Sequence, residues 1–358
     1  MAASVPVKLA IWGERAPGGS FDEARLATDL AAIVDDHIAR FGAVPFTHYT
    51  FLVMLAHDAY GGLEHRASSV NLYHPYFGAS RKHYEGLLDK VLDDWARLMA
   101  IPGRRRQSLE AASFDAWIKL YKPDESNLNT TVSYYLKGGL TMLALDLQIR
   151  RRTEGARSLD DVLRLLWQRY GATATPHPDQ LQPVFEEATG LALGDVFDRQ
   201  VRGTDDPELV EELRHVGLEL RTSSDPAQTG DSASAVWLGA TIGGGKVTGV
   251  FDDSPAQAAG LSPGDEIIAL DGFRVTAEAD LRSLAGALRP GDRIELAVFR
   301  RARLLRLPVR LGAAPATRYE IAGVADPGMA AARYHAWLGE AHPGSQTLAT
   351  VTTTARWV

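Results

Sequence analysis

The run YGGLEHRASSV, Tyr60 to Val70, places Glu64 directly after two glycines and a leucine at the end of an apolar stretch. A carboxylate at a strand edge, beside Gly61 and Gly62, can hold a cation such as a free amine. Taken alone, such a residue is more often a solvated surface group. Hydrolysis would need a second set of groups. The ten histidines stand at 37, 48, 57, 65, 74, 83, 177, 215, 335 and 342, and no two are four apart. No H-E-x-x-H helix can therefore turn two imidazoles toward one zinc ion. His57, His65, His74 and His83 lie close in sequence without a ligand spacing and read as surface or packing residues. With no cysteine, disulfides, thiolate nucleophiles and thiolate metal ligands are excluded. No G-x-S-x-G elbow or phosphate loop occurs; IGGGKVTG from Ile242 lacks P-loop spacing and reads as a β-turn.

The elements that must position these residues follow from apolar spacing. Leu26, Leu30, Ile33, Val34, Ile38 and Phe41 recur at three- and four-residue steps, which predicts a helix over 21–41 with Gly42 as its stop. HYTFLVMLA, from His48, reads as a buried strand. Leu87, Leu88, Val91, Leu92, Trp95, Leu98 and Met99 predict a helix ending before Pro102, and SLEAASFDAWIKLY opens on a capping-box pattern at Ser108. Further helical patterns carry a mostly α region to about residue 204. SSDPAQTGDSAS, from Ser223, reads as a linker; five short β-type runs and two helical patches come after it. The final residues from Ala313 read as a tail with one helix and a Thr-rich end that frays.

The 358 residues suffice for about two to three domains. Apolar content of 45% and charged content of 23% are globular values, which excludes a disordered or fibrous chain. Net charge is −7, and the basic runs GRRRQ and IRRRTEG lack interleaved aromatics, so nucleic acid is not an expected partner. No run of 18 apolar residues and no charged leader with an apolar core occurs, so neither a membrane partner nor a signal peptide is expected. The compartment stays open, cytoplasmic by default, and so does the natural start, because the first strand begins abruptly.

VFDDSPAQAAGLSPGDEIIALDGFRV, Val250 to Val275, resembles the PDZ domains of bacterial proteases, with SPA, AGL, GD and DG at the family spacing. The resemblance implies capture of a peptide C-terminus by strand addition, with backbone N–H groups on the carboxylate. WLGATI occupies the corresponding loop, so Leu238, Gly239, Ala240, Thr241 and Ile242 are the candidates. The alternative is a PDZ domain that packs against its own chain and takes no free peptide.

FGAVPFTHYTFLV, YGGLEHRASS, PGRRRQSLEAASFDAWIKLYKPDES, TVSYYLKGGLTMLALDLQIR, SLDDVLRLLW and VRGTDD resemble, in order, the glycyl aminopeptidase family of zinc metallopeptidases. The resemblance implies an α+β fold: a partial thermolysin-like peptidase domain, strands then helical lobe, followed by a β-rich PDZ domain. It divides the chain into 1–72 (α/β part), 73–222 (helical lobe), 223–312 (PDZ) and 313–358 (tail). It implies that Glu64, beside Gly61 and Gly62, takes the substrate's α-amino group, and that Tyr134 or Tyr135 steadies the oxyanion. The family's zinc helices are missing: Val70 leads straight into residues that resemble the family's segment beyond its last ligand, as if several tens of residues were removed between about Ser69 and Gly78. No metal ligand and no cofactor are therefore expected in this chain, although the family uses zinc. The expected function is a catalytically inactive, peptide-binding form whose partners are peptides or protein C-termini. The alternative is an active zinc metallo-aminopeptidase whose zinc segment is absent from this chain. Loss of the two helices is expected to cause association or disorder around residues 70–80.

Overall fold

The computed structural model describes residues 5–13, 23–42, 44, 46–55, 61–73, 86–171, 178–223, 236–313 and 316–354. Of residues 70–80, where association or disorder is expected, 70–73 belong to a paired strand and 74–80 lie outside the described residues, as does the linker at 224–235. The chain divides into two compact units, residues 1–84 with 156–192, and 85–155 with 193–358.

The first unit is built on a four-stranded sheet in the order β1 (Val7–Trp12), β2 (Tyr49–Leu55), β4 (Ser68–Tyr73), β3 (Gly61–His65). β1, β2 and β4 are parallel, and β3 is an antiparallel edge. Parallel strands need a crossover, and helix α1 (Glu23–Phe41) is the one between β1 and β2. Its apolar stripe, with Ile33, Val34, Ile38 and Phe41, faces Tyr49, Phe51 and Trp167 around a cavity of about 310 Å³. Two further helices, Leu159–Leu166 and Gln182–Thr189, complete the unit. The first starts with a capping box in which Asp161 accepts from the Ser158 N–H at 2.8 Å. Ser108, where the sequence suggested such a box, caps its helix only one way, accepting from the Ala111 N–H at 3.1 Å. The position that would return the bond is Ala111 itself, which has no acceptor to offer.

The second unit begins with α2 (Leu87–Met99), α3 (Leu109–Phe114), α4 (Ala116–Lys119), the single turn α5 (Asn127–Thr130) and α6 (Tyr134–Arg152). Leu88, Val91, Leu92, Trp95 and Leu98 of α2 meet Leu140, Ala144 and Leu147 of α6, the helical spacing that the sequence displays. The same core takes Leu218 and Leu220 from β5 (Leu218–Ser223), Ile321 from β14 (Ala316–Gly323) and Ala349 from β15 (Thr347–Thr354). These strands form an antiparallel sheet in the order β15, β14, β5. The Thr-rich end expected to fray is thus a paired strand as far as residue 354, where branched Thr side chains suit the pleat. Residues 355–358 lie outside the described residues.

Between these parts of the second unit lies an antiparallel sheet in the order β12 (Arg303–Arg310), β11 (Arg293–Arg300), β9 (Glu266–Leu270), β8 (Lys246–Val250), β7 (Ala240–Gly243). β10 (Phe273–Arg274) pairs β9, and β6 (Val236–Trp237) pairs β13 (Gly312–Ala313). Leu238, Val247, Ile267, Leu281, Leu296 and Val298 fill its core. Asp265 is fully buried there and accepts two bonds from Arg300, both at 2.7 Å, while Ser262 N–H donates at 2.9 Å. Arg300→Ala leaves this carboxylate without its cation and is expected to cost about 3 kcal/mol in urea unfolding. Wild-type stability in that variant would show that the pair is dispensable. The α+β class read from the sequence holds in both units.

Candidate functional site

The Leu238–Ile242 loop is shaped by glycine and by a short helical turn. Gly239 has φ +77°, and a Cβ there would lie 2.2 Å from Ser254 Cβ, so only glycine fits. Ser254 caps the turn Pro255–Ala258 by accepting from the Gln257 N–H at 3.1 Å, with Pro255 first in the turn. The loop carbonyls are held from behind: Ala256 N–H donates to Leu238 O at 2.8 Å and Phe251 N–H to Gly239 O at 2.9 Å. The N–H groups of Leu238 and Gly239 find no acceptor among the described residues. Leu238 is nonetheless fully buried. The next strand, β7, ends the sheet order, with β8 as its neighbour. Near the far end of β7 a cavity of about 480 Å³ is lined by Ile242, Ile267, Val275 and Leu281, with Glu266, Arg274 and Glu278 around it. Thr241 and Ile242 are half-buried; Ala240 is buried.

Tyr134 and Tyr135 open α6 behind Ser133, which caps it. Their rings are 4.1 Å apart, and Tyr135 Oη lies 3.0 Å from Tyr121 Oη. Hydrogen bonding from Tyr135 and then Tyr121 raises the Tyr134 phenol above the usual tyrosine range. Tyr121 was not singled out from the sequence. Its signal is the four-residue step from Trp117, whose ring is 5.1 Å away. Phe114, Trp117, Ile118 and Tyr135 are each exposed.

Lys137, one turn further along α6, gathers three of the quoted motifs. It is fully buried, and its Nζ donates to Arg104 O at 3.1 Å and Thr204 O at 3.2 Å. Arg104 in turn donates to Asp206 at 3.0 Å and to Met99 O and Ile101 O. PGRRRQ, SYYLKG and VRGTDD thus meet at one ammonium. Burial pushes the Lys137 amine down, opposed by the charges of Asp206 and Asp205. The sequence signal was available: Lys137 lies on the face of Leu140, Thr141 and Ala144, all buried.

Glu64 belongs to the first unit. It stands exposed on β3, opposite Ser69, with Gly62 opposite Asn71. A Cβ on Gly62 would lie 3.9 Å from Glu64 Oε1 and 3.4 Å from Asn71 Oδ1, and one on Gly61 would meet nothing within 4 Å. Asn71 Nδ2 donates to Ser69 Oγ at 3.1 Å. The two glycines leave open space beside the carboxylate.

Among the described residues no group of three or more His, Asp or Glu is placed to hold a metal ion. His342 is committed to backbone, accepting from the Gly344 N–H at 3.1 Å while its Nε2 donates to Gly217 O at 2.8 Å. His37 and His335 also bond main-chain carbonyls. His57, His74, His83 and His177 lie outside the described residues. No helix among the described residues is long and apolar enough to cross a membrane.

The M61 glycyl aminopeptidase family model matches residues 78–141, and the PDZ domain model matches residues 216–311. A probable periplasmic serine endoprotease DegP-like of Ectopseudomonas mendocina is 38% identical over 79 residues, 22% of this chain and 17% of that protein. One of Pseudomonas fulva is 33% identical over 109 residues, 26% of this chain and 23% of that protein. The chain thus spans about a fifth of the length of these curated relatives. An aminopeptidase N family protein from Idiomarina loihiensis shares the fold, with a TM-score of 0.73 at 24% identity, covering 87% of this chain and 66% of that one. The chain thus carries one segment similar to the M61 glycyl aminopeptidase family and a second similar to PDZ domains.

Proposed function

We propose that this chain is a peptide-binding member of the glycyl aminopeptidase type that receives free peptide or protein C-termini in the Leu238–Ile242 loop and does not hydrolyse them. The observation that carries the reading is the pair of open N–H groups, Leu238 and Gly239, at the head of the terminal strand β7. A peptide adding to β7 places its carboxylate on those amides and its preceding side chains along Ile242 and Leu281. Calorimetric titration of the full chain with peptides ending in an apolar residue and a free carboxylate tests it. Saturable binding in the micromolar range is expected; none at millimolar peptide overturns it.

The second part of the reading rests on the donor set. Zinc supplies the activated water in the family, and the reading is supported by the absence of a cluster of three or more His, Asp or Glu among the described residues. In this reading Glu64, exposed on β3, pairs with an amine, and the Tyr121–Tyr135 hydroxyl pair, which spends one donor on its mutual bond, offers the other to a carbonyl oxygen beside Tyr134. Both roles are binding roles without cleavage. Metal analysis of the purified chain is expected to find well under one zinc per chain, and amino-terminal glycyl substrates are expected to stay intact. One tightly bound zinc per chain with glycine release would instead favour the active metallo-aminopeptidase.

A further inference from the structure

The single turn α5 holds no buried side chain and is fixed at both ends by polar contacts. At one end the Asn129 side-chain amide grips the PDZ backbone: Nδ2 donates to Val250 O at 2.8 Å, and Oδ1 accepts from the Asp252 N–H at 3.1 Å. Val250 is the ladder partner of Ala240, and Phe251 N–H bonds Gly239 O, so residues 250–252 separate Asn129 from the proposed carboxylate loop by one backbone strand. Leu128 lies along the same hairpin, where a Cβ on Gly249 would come 3.4 Å from its Cδ2 and 2.9 Å from Thr241 Oγ1. Arg106 reaches Asp252 at 3.5 Å.

At its other end α5 holds the aromatic cluster. Asn127 Nδ2 donates to Lys119 O at 2.6 Å, two residues before Tyr121. The chain leaves α5 through Thr131, packed so closely on Gly103 that a Cβ there would stand 2.1 Å from Thr131 O, and reaches Tyr134 three residues later. An element with no buried side chain of its own, held largely by polar contacts, can open at lower cost than a core element, and a ligand that orders one of its ends changes the population at the other.

We propose that α5 couples occupancy of the Leu238–Ile242 loop to the Tyr121, Tyr134 and Tyr135 cluster, with Asn129 as the positioning residue of the coupling. The proposal rests on the C-terminal-peptide reading above. By linkage, a change in the cluster alters peptide affinity by the factor by which peptide alters the cluster.

The test uses the full chain labelled with 3-fluorotyrosine, its three cluster resonances assigned by Tyr→Phe variants, and a free-carboxylate peptide whose binding is measured separately by calorimetry. Peptide is expected to shift the three resonances in the wild type. In Asn129→Ala, and in Asn129→Asp, which keeps the side-chain size and loses the donor to Val250 O, peptide still binds and the shifts are lost. Tyr135→Phe is expected to change the peptide Kd about fivefold in the wild-type background and not in Asn129→Ala. Binding with unmoved cluster resonances, or shifts that survive both Asn129 variants, overturns the coupling and leaves the C-terminal reading standing. Absence of binding in the calorimeter overturns both.

Discussion

Lys137→Ala is expected to destabilise the second unit by about 3–5 kcal/mol, among the largest effects of any single substitution in the chain. The side chain is fully buried, and its removal leaves a cavity and strands the Arg104 and Thr204 carbonyls without their shared donor. Urea unfolding of the full chain measures the loss. Lys137→Met separates the contributions, because it fills the space and deletes only the charge and its bonds. The pH dependence carries a sign. Burial lowers the folded-state pKa below the model-peptide value of 10.5, so between the two values the unfolded chain binds more protons than the folded one. Lys137 therefore costs stability at neutral pH, and that cost is relieved as pH rises through the folded pKa toward 10.5. The wild type should gain on Lys137→Met over this window. A Lys137→Ala chain as stable as the wild type would remove Lys137 from its proposed place as the knot of three motifs.

Gly239→Ala is expected to lower affinity for free C-termini by about 100-fold, the result of two effects on one loop. A side chain at φ +77° costs about 1–2 kcal/mol. The new Cβ must also push against Ser254 Cβ, 2.2 Å from its ideal position, and Ser254 caps the adjoining turn. The loop can relieve the contact only by rotating the Leu238 and Gly239 amides away from the position they share. Calorimetric titration of wild type and variant with one peptide measures the loss, and unchanged affinity would show that the amides are not the carboxylate seat.

Much of this arrangement could be read before any coordinates. The α2 and α6 faces follow from spacing alone, because Leu88, Leu92, Trp95 and Leu140, Ala144, Leu147 repeat on helical steps and are the residues that pack. The Leu238–Ile242 loop is singled out by its family setting alone; the positive φ of Gly239 becomes visible only in the structure. What local pattern could not carry is pairing over long separation. β5 meets β14 with Ile321 opposite Leu220, about a hundred residues away, and nothing in either run announces its partner. The same holds for side chains whose role is to bond backbone elsewhere. Asn129 reads as a turn residue until Val250 and Asp252 are seen against it, and Tyr121 joins Tyr135 only through the fold. The residues with chemistry to offer were visible by type; their partners were set by topology.

The central claim is that the Leu238 and Gly239 amides receive a terminal carboxylate, and the most direct measurement is a paired titration of the full chain with one peptide bearing a free or an amidated C-terminus. Hydrogen bonds to a charged group contribute about 1.5–3 kcal/mol. Amidation is therefore expected to weaken binding by about 10- to 100-fold. Equal affinity for the two forms would contradict the account.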